Sequence, residues 1–175
     1  MRAGIELQED AAGAWSELAV LLRQRAEAGP REEYAAIMGE SAEAYEHAVA
    51  AAPDDTALLN NLGNTYQVLG RNDEALALHE KALRLAPDDA RTWVNAGNAL
   101  MALGQRDAAR QRYGWATGID AAYSEAWLSL GMANEKTGRL AAAAAAYRRA
   151  AEVEPGLAAF VGGRLRLLGE AGDGP

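Results

Sequence analysis

Only two side chains in this 175-residue chain are of the type that commonly serves as acid or base near neutrality, His47 and His79, and there is no cysteine. An active site needs a nucleophile or an acid–base pair, together with groups that position it. The lack of cysteine removes thiolate catalysis, disulfides and thiolate zinc sites. The two histidines share no metal-ligand spacing, and no His-Glu-x-x-His, phosphate-cradling glycine loop or nucleophile elbow occurs. Asp and Glu are plentiful, at 25, but they fall mainly at helix starts and on polar faces. The chain is therefore expected not to be an enzyme and to use no cofactor or metal. The residues that stand out instead are primary amides. Asn60, Asn61, Asn64, Asn95 and Asn98 all lie in stretches of helical period, where Asn is a mediocre former. An amide both donates and accepts hydrogen bonds. A row of them can hold an extended peptide by its backbone, or it can tie neighbouring helices together.

The elements that carry these amides are helices. Ala supplies 42 residues and Leu 21, whereas Val, Ile and Thr together supply 14. Such a composition favours helix and is too poor in strand formers for a large sheet. Residues 1–55 hold 4 basic and 12 acidic side chains, and residues 56–175 hold 13 of each. The formal charge of −8 thus belongs to the N-terminal third, either as a solvated face or as a docking surface for a basic partner. Neither part offers the positive field that nucleic-acid binding requires. No apolar run reaches a membrane span, and the first fifteen residues do not read as a signal peptide. A cytoplasmic location without nucleic-acid or membrane partners is the expectation.

A fixed period organises the chain. Gly63, Gly97 and Gly131 recur at 34 residues, as do Gly70, Gly104 and Gly138. Leu59, Trp93 and Trp127 fall in register, as do His79, Tyr113 and Tyr147, and Ala82, Ala116 and Ala150. Such columns mean stacked repeats. In each unit Asp54/Asp55 or Asp88/Asp89 can cap a first helix, and Gly70 or Gly104 can end it in the left-handed conformation. A second helix then runs to the proline. Gly63, Gly97 and Gly131 sit inside an apolar face, which predicts a close approach by a neighbouring helix. In the N-terminal unit Trp15, Leu18, Ala19 and Leu22 match the first helix, and Ser41, Tyr45 and Ala48 the second. About ten extra residues near Gly29-Pro30 predict two long helices, 8–28 and 31–51, with Pro30 at a helix start. His79 stands in an aromatic core column and is expected to be packed. Trp115 lies two residues past Tyr113, off that column, and either covers a loosened helix end or contacts a partner.

Leu59, Leu62-Gly63, Tyr66, Ala75, His79, Ala82 and Pro87 resemble the signature of the tetratricopeptide repeat family. Trp93, Ala96-Gly97, Leu100, Ala109, Tyr113 and Ala116 repeat it, and so do Trp127, Leu130-Gly131, Asn134, Ala143, Tyr147, Ala150 and Pro155. His79 and Asn134 depart from it. The resemblance implies an all-α, right-handed superhelical solenoid of antiparallel helix pairs, with four repeats plus a C-terminal capping helix. The expected layout is one domain over 1–169. It comprises an enlarged repeat 8–55, repeats 56–89, 90–123 and 124–156, a capping helix 157–169, and a flexible tail 170–175. The family's inner face implies a peptide-binding groove that includes Asn60, Asn61, Asn64, Gln67, Arg91, Asn95, Asn98, Met101, Glu125, Ser129 and Met132. A clamp known in the family grips a terminal carboxylate with Lys, Arg and Asn. Asn64 and Asn95 match its amides, but Asn60, Glu125 and Ser129 replace its cations, so the charge-assisted bonds are missing. The amide columns resemble the groove beside O-linked N-acetylglucosamine transferases, without a transferase domain. The function expected is a protein-interaction scaffold that binds a peptide or partner segment. A self-assembling scaffold acting through Trp115 or the final helix, with a homo-oligomer as its form, is the alternative. An adaptor beside a separate catalytic domain is another.

Overall fold

Two first-helix starts and three first-helix ends each follow from one residue. Asp55 is extended, and its Oδ1 accepts from the backbone N–H of Ala57 at 2.8 Å and of Leu58 at 3.1 Å. Asp89 likewise accepts from Arg91 N–H at 3.1 Å. Such caps satisfy donors that a helix start leaves unpaired. At the other end, Gly70, Gly104 and Gly138 have φ of +76°, +76° and +74°. The next residue then turns its N–H back onto the helix: Arg71 to Tyr66 C=O at 2.8 Å, Gln105 to Leu100 at 2.9 Å, Arg139 to Asn134 at 2.8 Å. This closure needs a residue that tolerates positive φ.

The computed structural model describes the backbone of residues 2–172 and the side chains of residues 11–169. It divides into two compact units, 1–87 and 88–175. The first holds α1 (Arg2–Ala28), α2 (Tyr34–Ala51), α3 (Thr56–Val68) and α4 (Asn72–Leu85). The second holds α5 (Ala90–Ala102), α6 (Arg106–Ile119), α7 (Ser124–Lys136), α8 (Leu140–Val153), a 3₁₀ turn at Pro155–Leu157, and α9 (Ala158–Gly172). No strand occurs among the described residues, as the composition predicts. None of their helices is long and apolar enough to cross a membrane. First helices start at Thr56, Ala90, Ser124 and Ala158, a step of 34 each time. The capping helix α9 thus begins in the register of a further first helix.

The buried glycine column has a direct cause. A Cβ on Gly63 would lie 2.6 Å from the His79 ring, one on Gly97 2.5 Å from the Tyr113 ring, and one on Gly131 2.6 Å from the Tyr147 ring. What approaches is a ring from the second helix of the same repeat, filling the space that a Cβ on the first helix would need. His79, Tyr113 and Tyr147 are all buried.

The first repeat closes differently. Gly29 has no positive φ, and the chain turns through Glu33 N–H to Pro30 C=O at 3.1 Å and Tyr34 N–H to Arg31 C=O at 3.3 Å. Pro30 therefore opens a turn, and α2 starts at Tyr34 instead of 31. α1 begins at Arg2 instead of 8. α9 continues to Gly172, so the tail expected from 170 is helical as far as that residue. Residues 173–175 lie outside the described residues.

Candidate functional site

In the first unit the amides divide between the core and the surface. His79 is fully buried. Its Nδ1 lies 3.0 Å from Asn60 Oδ1 and its Nε2 3.2 Å from Gln67 Nε2. An amide oxygen can only accept and an amide nitrogen can only donate. His79 therefore donates from Nδ1 and accepts at Nε2, which is the neutral imidazole. Burial lowers its pKa from 6.5 to about 4, in agreement with that pairing. Asn60 and Gln67 thus serve the repeat's own joint. Asn61 is half-buried and lines a concavity of about 550 Å³ with Ala12, Ser16, Ala52, Asp55 and Leu58. That concavity joins α1 to the start of α3. Asn64 is exposed one turn beyond Asn61.

In the second unit the same columns hold different chemistry. Asn98 Oδ1 accepts from Tyr113 Oη at 2.8 Å. Glu135, in the column of Gln67 and Met101, accepts from Tyr147 Oη at 2.8 Å and is paired with Arg164 of α9. Burial pushes the Glu135 carboxyl up, but the bonds from Arg164 and Tyr147 outweigh it and leave it below its ordinary value. Burial first, then Glu135, holds the Tyr147 hydroxyl up at about 12. Asn95 and Met101 are half-buried, Met132 is exposed and Ser129 is buried. Glu125 accepts from Tyr123 Oη at 2.7 Å. Arg91 is exposed beside a smaller concavity of about 250 Å³ lined by Asp88, Asp89, Asp120 and Tyr123. Among the described residues no group of three or more His, Asp or Glu is placed to hold a metal ion.

Trp115 is 60% exposed. Its ring centroid is 4.8 Å from that of buried Trp93 at 38°, so it lids that residue while keeping a face in water. The first repeat makes the matching pair, Trp15 on His47, at 4.4 Å and 27°. Sequence reasoning missed both stacks and the Glu135–Arg164 pair. The signal for the stacks was present in the register: each joins position four of a first helix to the residue two past the core aromatic.

Sequence models described as tetratricopeptide repeat match residues 54–122 and 94–164. The chain belongs to the tetratricopeptide repeat family. Among solved structures, a crystal structure of MamA is similar at a TM-score of 0.72 and 22% identity, covering 81% of this chain and 82% of that one. The first repeat domain of Spaghetti (RPAP3), bound to the HSP90 peptide SRMEEVD, is similar at 0.63 and 25% identity, covering 66% and 91%. The Sgt2 repeat domain of Aspergillus fumigatus follows at 0.64 and 27% identity, covering 69% and 83%. The chain matches no curated protein sequence. The family assignment accounts for the Asp caps, the left-handed glycines and the rings seated on glycine that the two units share.

Proposed function

We propose that this tetratricopeptide repeat chain is a non-enzymatic protein-interaction module that holds an extended peptide or partner segment against its first helices. The observation that carries the reading is the concavity between α1 and α3, with Asn61 in its wall and Asn64 exposed one turn on. Its apolar lining can take a side chain, and the amides can bond a peptide backbone. In the second unit Met101 and Met132 offer adaptable thioethers. The Spaghetti domain, a relative at 25% identity, holds a peptide, which supports the general mode. The ligand preference should differ from that acidic peptide. The clamp columns here carry Asn60, Glu125 and Ser129 where a carboxylate would need cations.

A panel of labelled extended peptides, titrated against the full chain by fluorescence anisotropy, tests the reading. Replacing Asn61 and Asn64 together by Ala should weaken the best binder about tenfold or more, as loss of two backbone bonds of ~1 kcal/mol each implies. Unchanged affinity in the double variant would overturn the amide-based mode.

A further inference from the structure

The turns that lead into α3 and α5 hold the same place in the repeat, and each borders a concavity. By the 34-residue period Asp54 and Asp55 correspond to Asp88 and Asp89, and Ala57 corresponds to Arg91. In the second unit Asp88, Asp89 and Asp120 line the concavity together with Arg91, so the chain's own cation stands among those carboxylates. In the first unit the concavity of about 550 Å³ has Ala57 in that place. Among the described residues that line it, Asp55 alone carries a charge.

Asp55 is fixed in position but only half used. Its Oδ1 accepts from the N–H groups of Ala57 and Leu58 at 2.8 Å and 3.1 Å. Its Oδ2 bonds to no other described residue. A helix start carries about +0.5 of an elementary charge, so a full carboxylate leaves this end of α3 net negative. Asp54 contributes little to that charge, because Lys81 Nζ lies 3.3 Å from its Oδ1 and also donates to the Pro53 carbonyl. In the wall that α1 supplies, the Ser16 hydroxyl bonds to no other described residue either.

We infer that an arginine side chain of the bound peptide enters this concavity and pairs with Asp55, supplying the cation that Arg91 supplies in the second unit. The inference rests on the peptide-binding reading above and names the side chain which that groove selects. Arginine suits both kinds of wall. Its stem can lie along Ala52, Ala57 and Leu58, and its planar fork donates to acceptors such as Asp55 Oδ2 and Ser16 Oγ. A carboxylate in the same place meets only like charge. Asn61 and Asn64 remain for the peptide backbone.

Fluorescence anisotropy with the full chain tests it, using labelled extended peptides of varied sequence. Each is made with arginine, citrulline or glutamate at its centre, citrulline keeping the shape of arginine without its charge. Wild-type protein should bind the best arginine peptide about five- to tenfold more tightly than its citrulline form, as a charge-assisted bond implies, and the glutamate form least well. Asp55→Asn keeps a capping side chain and should bring the arginine and citrulline forms to equal affinity. Ala57→Arg, at an exposed position, installs the second unit's cation and should do the same. Circular dichroism checks both folds, and Ala57→Arg carries the test if Asp55→Asn unfolds. Wild-type protein that does not prefer arginine, or a folded variant that keeps the full preference, would overturn the inference. The peptide-binding reading would survive that result if Asn61→Ala with Asn64→Ala still weakened the same peptides. A panel in which nothing binds would overturn both.

Discussion

The two units build one joint from different rings. In the first, an imidazole lies on Gly63; in the second, phenols lie on Gly97 and Gly131. Packing treats these rings alike, since each leaves no space for a Cβ. Their protonation chemistry is not alike. The imidazole is held neutral by an acceptor on one side and a donor on the other. Burial pushes the Tyr113 and Tyr147 hydroxyls upward, so the phenols stay neutral throughout the acid range. The joint is a matter of shape, whereas the pH range over which it holds is set by which ring fills it.

The largest expected effect probes that difference directly. His79 has a pKa of about 4 when folded and 6.5 as its ordinary value. Its folded value is the lower, so the unfolded chain takes up the proton first as pH falls. The contribution to stability is therefore complete above pH 6.5 and is lost between 6.5 and about 4. A gap of that size corresponds to about 3 kcal/mol. Urea unfolding at about pH 7.5 and about pH 4.5 should show wild-type protein losing about 2–3 kcal/mol more than His79→Tyr. Equal losses would break the contrast between the units.

Next in size is the shared part of the joint. Gly63→Ala and Gly97→Ala should each destabilise by about 1–3 kcal/mol, because a seated ring must move to admit the methyl group. Gly118→Ala, with nothing within 4 Å of its Cβ, should instead stabilise by up to about 1 kcal/mol. Thermal melts of the three variants check both signs. If Gly63→Ala is tolerated and Gly97→Ala is not, the imidazole yields where the phenol does not, and the comparison sharpens.

The smallest effect is confined to the second unit. Arg164→Met removes the cation from Glu135, whose side chain is 25% exposed, while Arg164 itself is 34% exposed. Solvent screening limits the loss to about 0.5–1 kcal/mol. Urea midpoints at low and high salt should converge between variant and wild type as salt rises.

Much of this was readable in advance, for local reasons. Asp55 and Asp89 cap helices because a short acceptor before an apolar run has few other uses, and Gly70, Gly104 and Gly138 end them because only glycine takes that φ easily. The glycine column announced a close approach. Which atoms approached was less legible, since Asn60 reaches a ring 19 residues away and Asn98 one 15 residues away. Spacing cannot choose between acceptors that share a helix face. The first repeat was misjudged at Pro30 because a proline suits both the first turn of a helix and a tight turn before it. The inserted residues also have no counterpart in the other repeats to fix their register.

The locked imidazole also makes a clock. Its Nδ1–H is fully enclosed and committed to Asn60, so solvent can replace that hydrogen only when the ring lifts off Gly63. Its exchange rate reads the opening free energy of one repeat, separately from global unfolding. A ligand seated beside α3 would slow it without touching it, and the same proton would then report binding as protection.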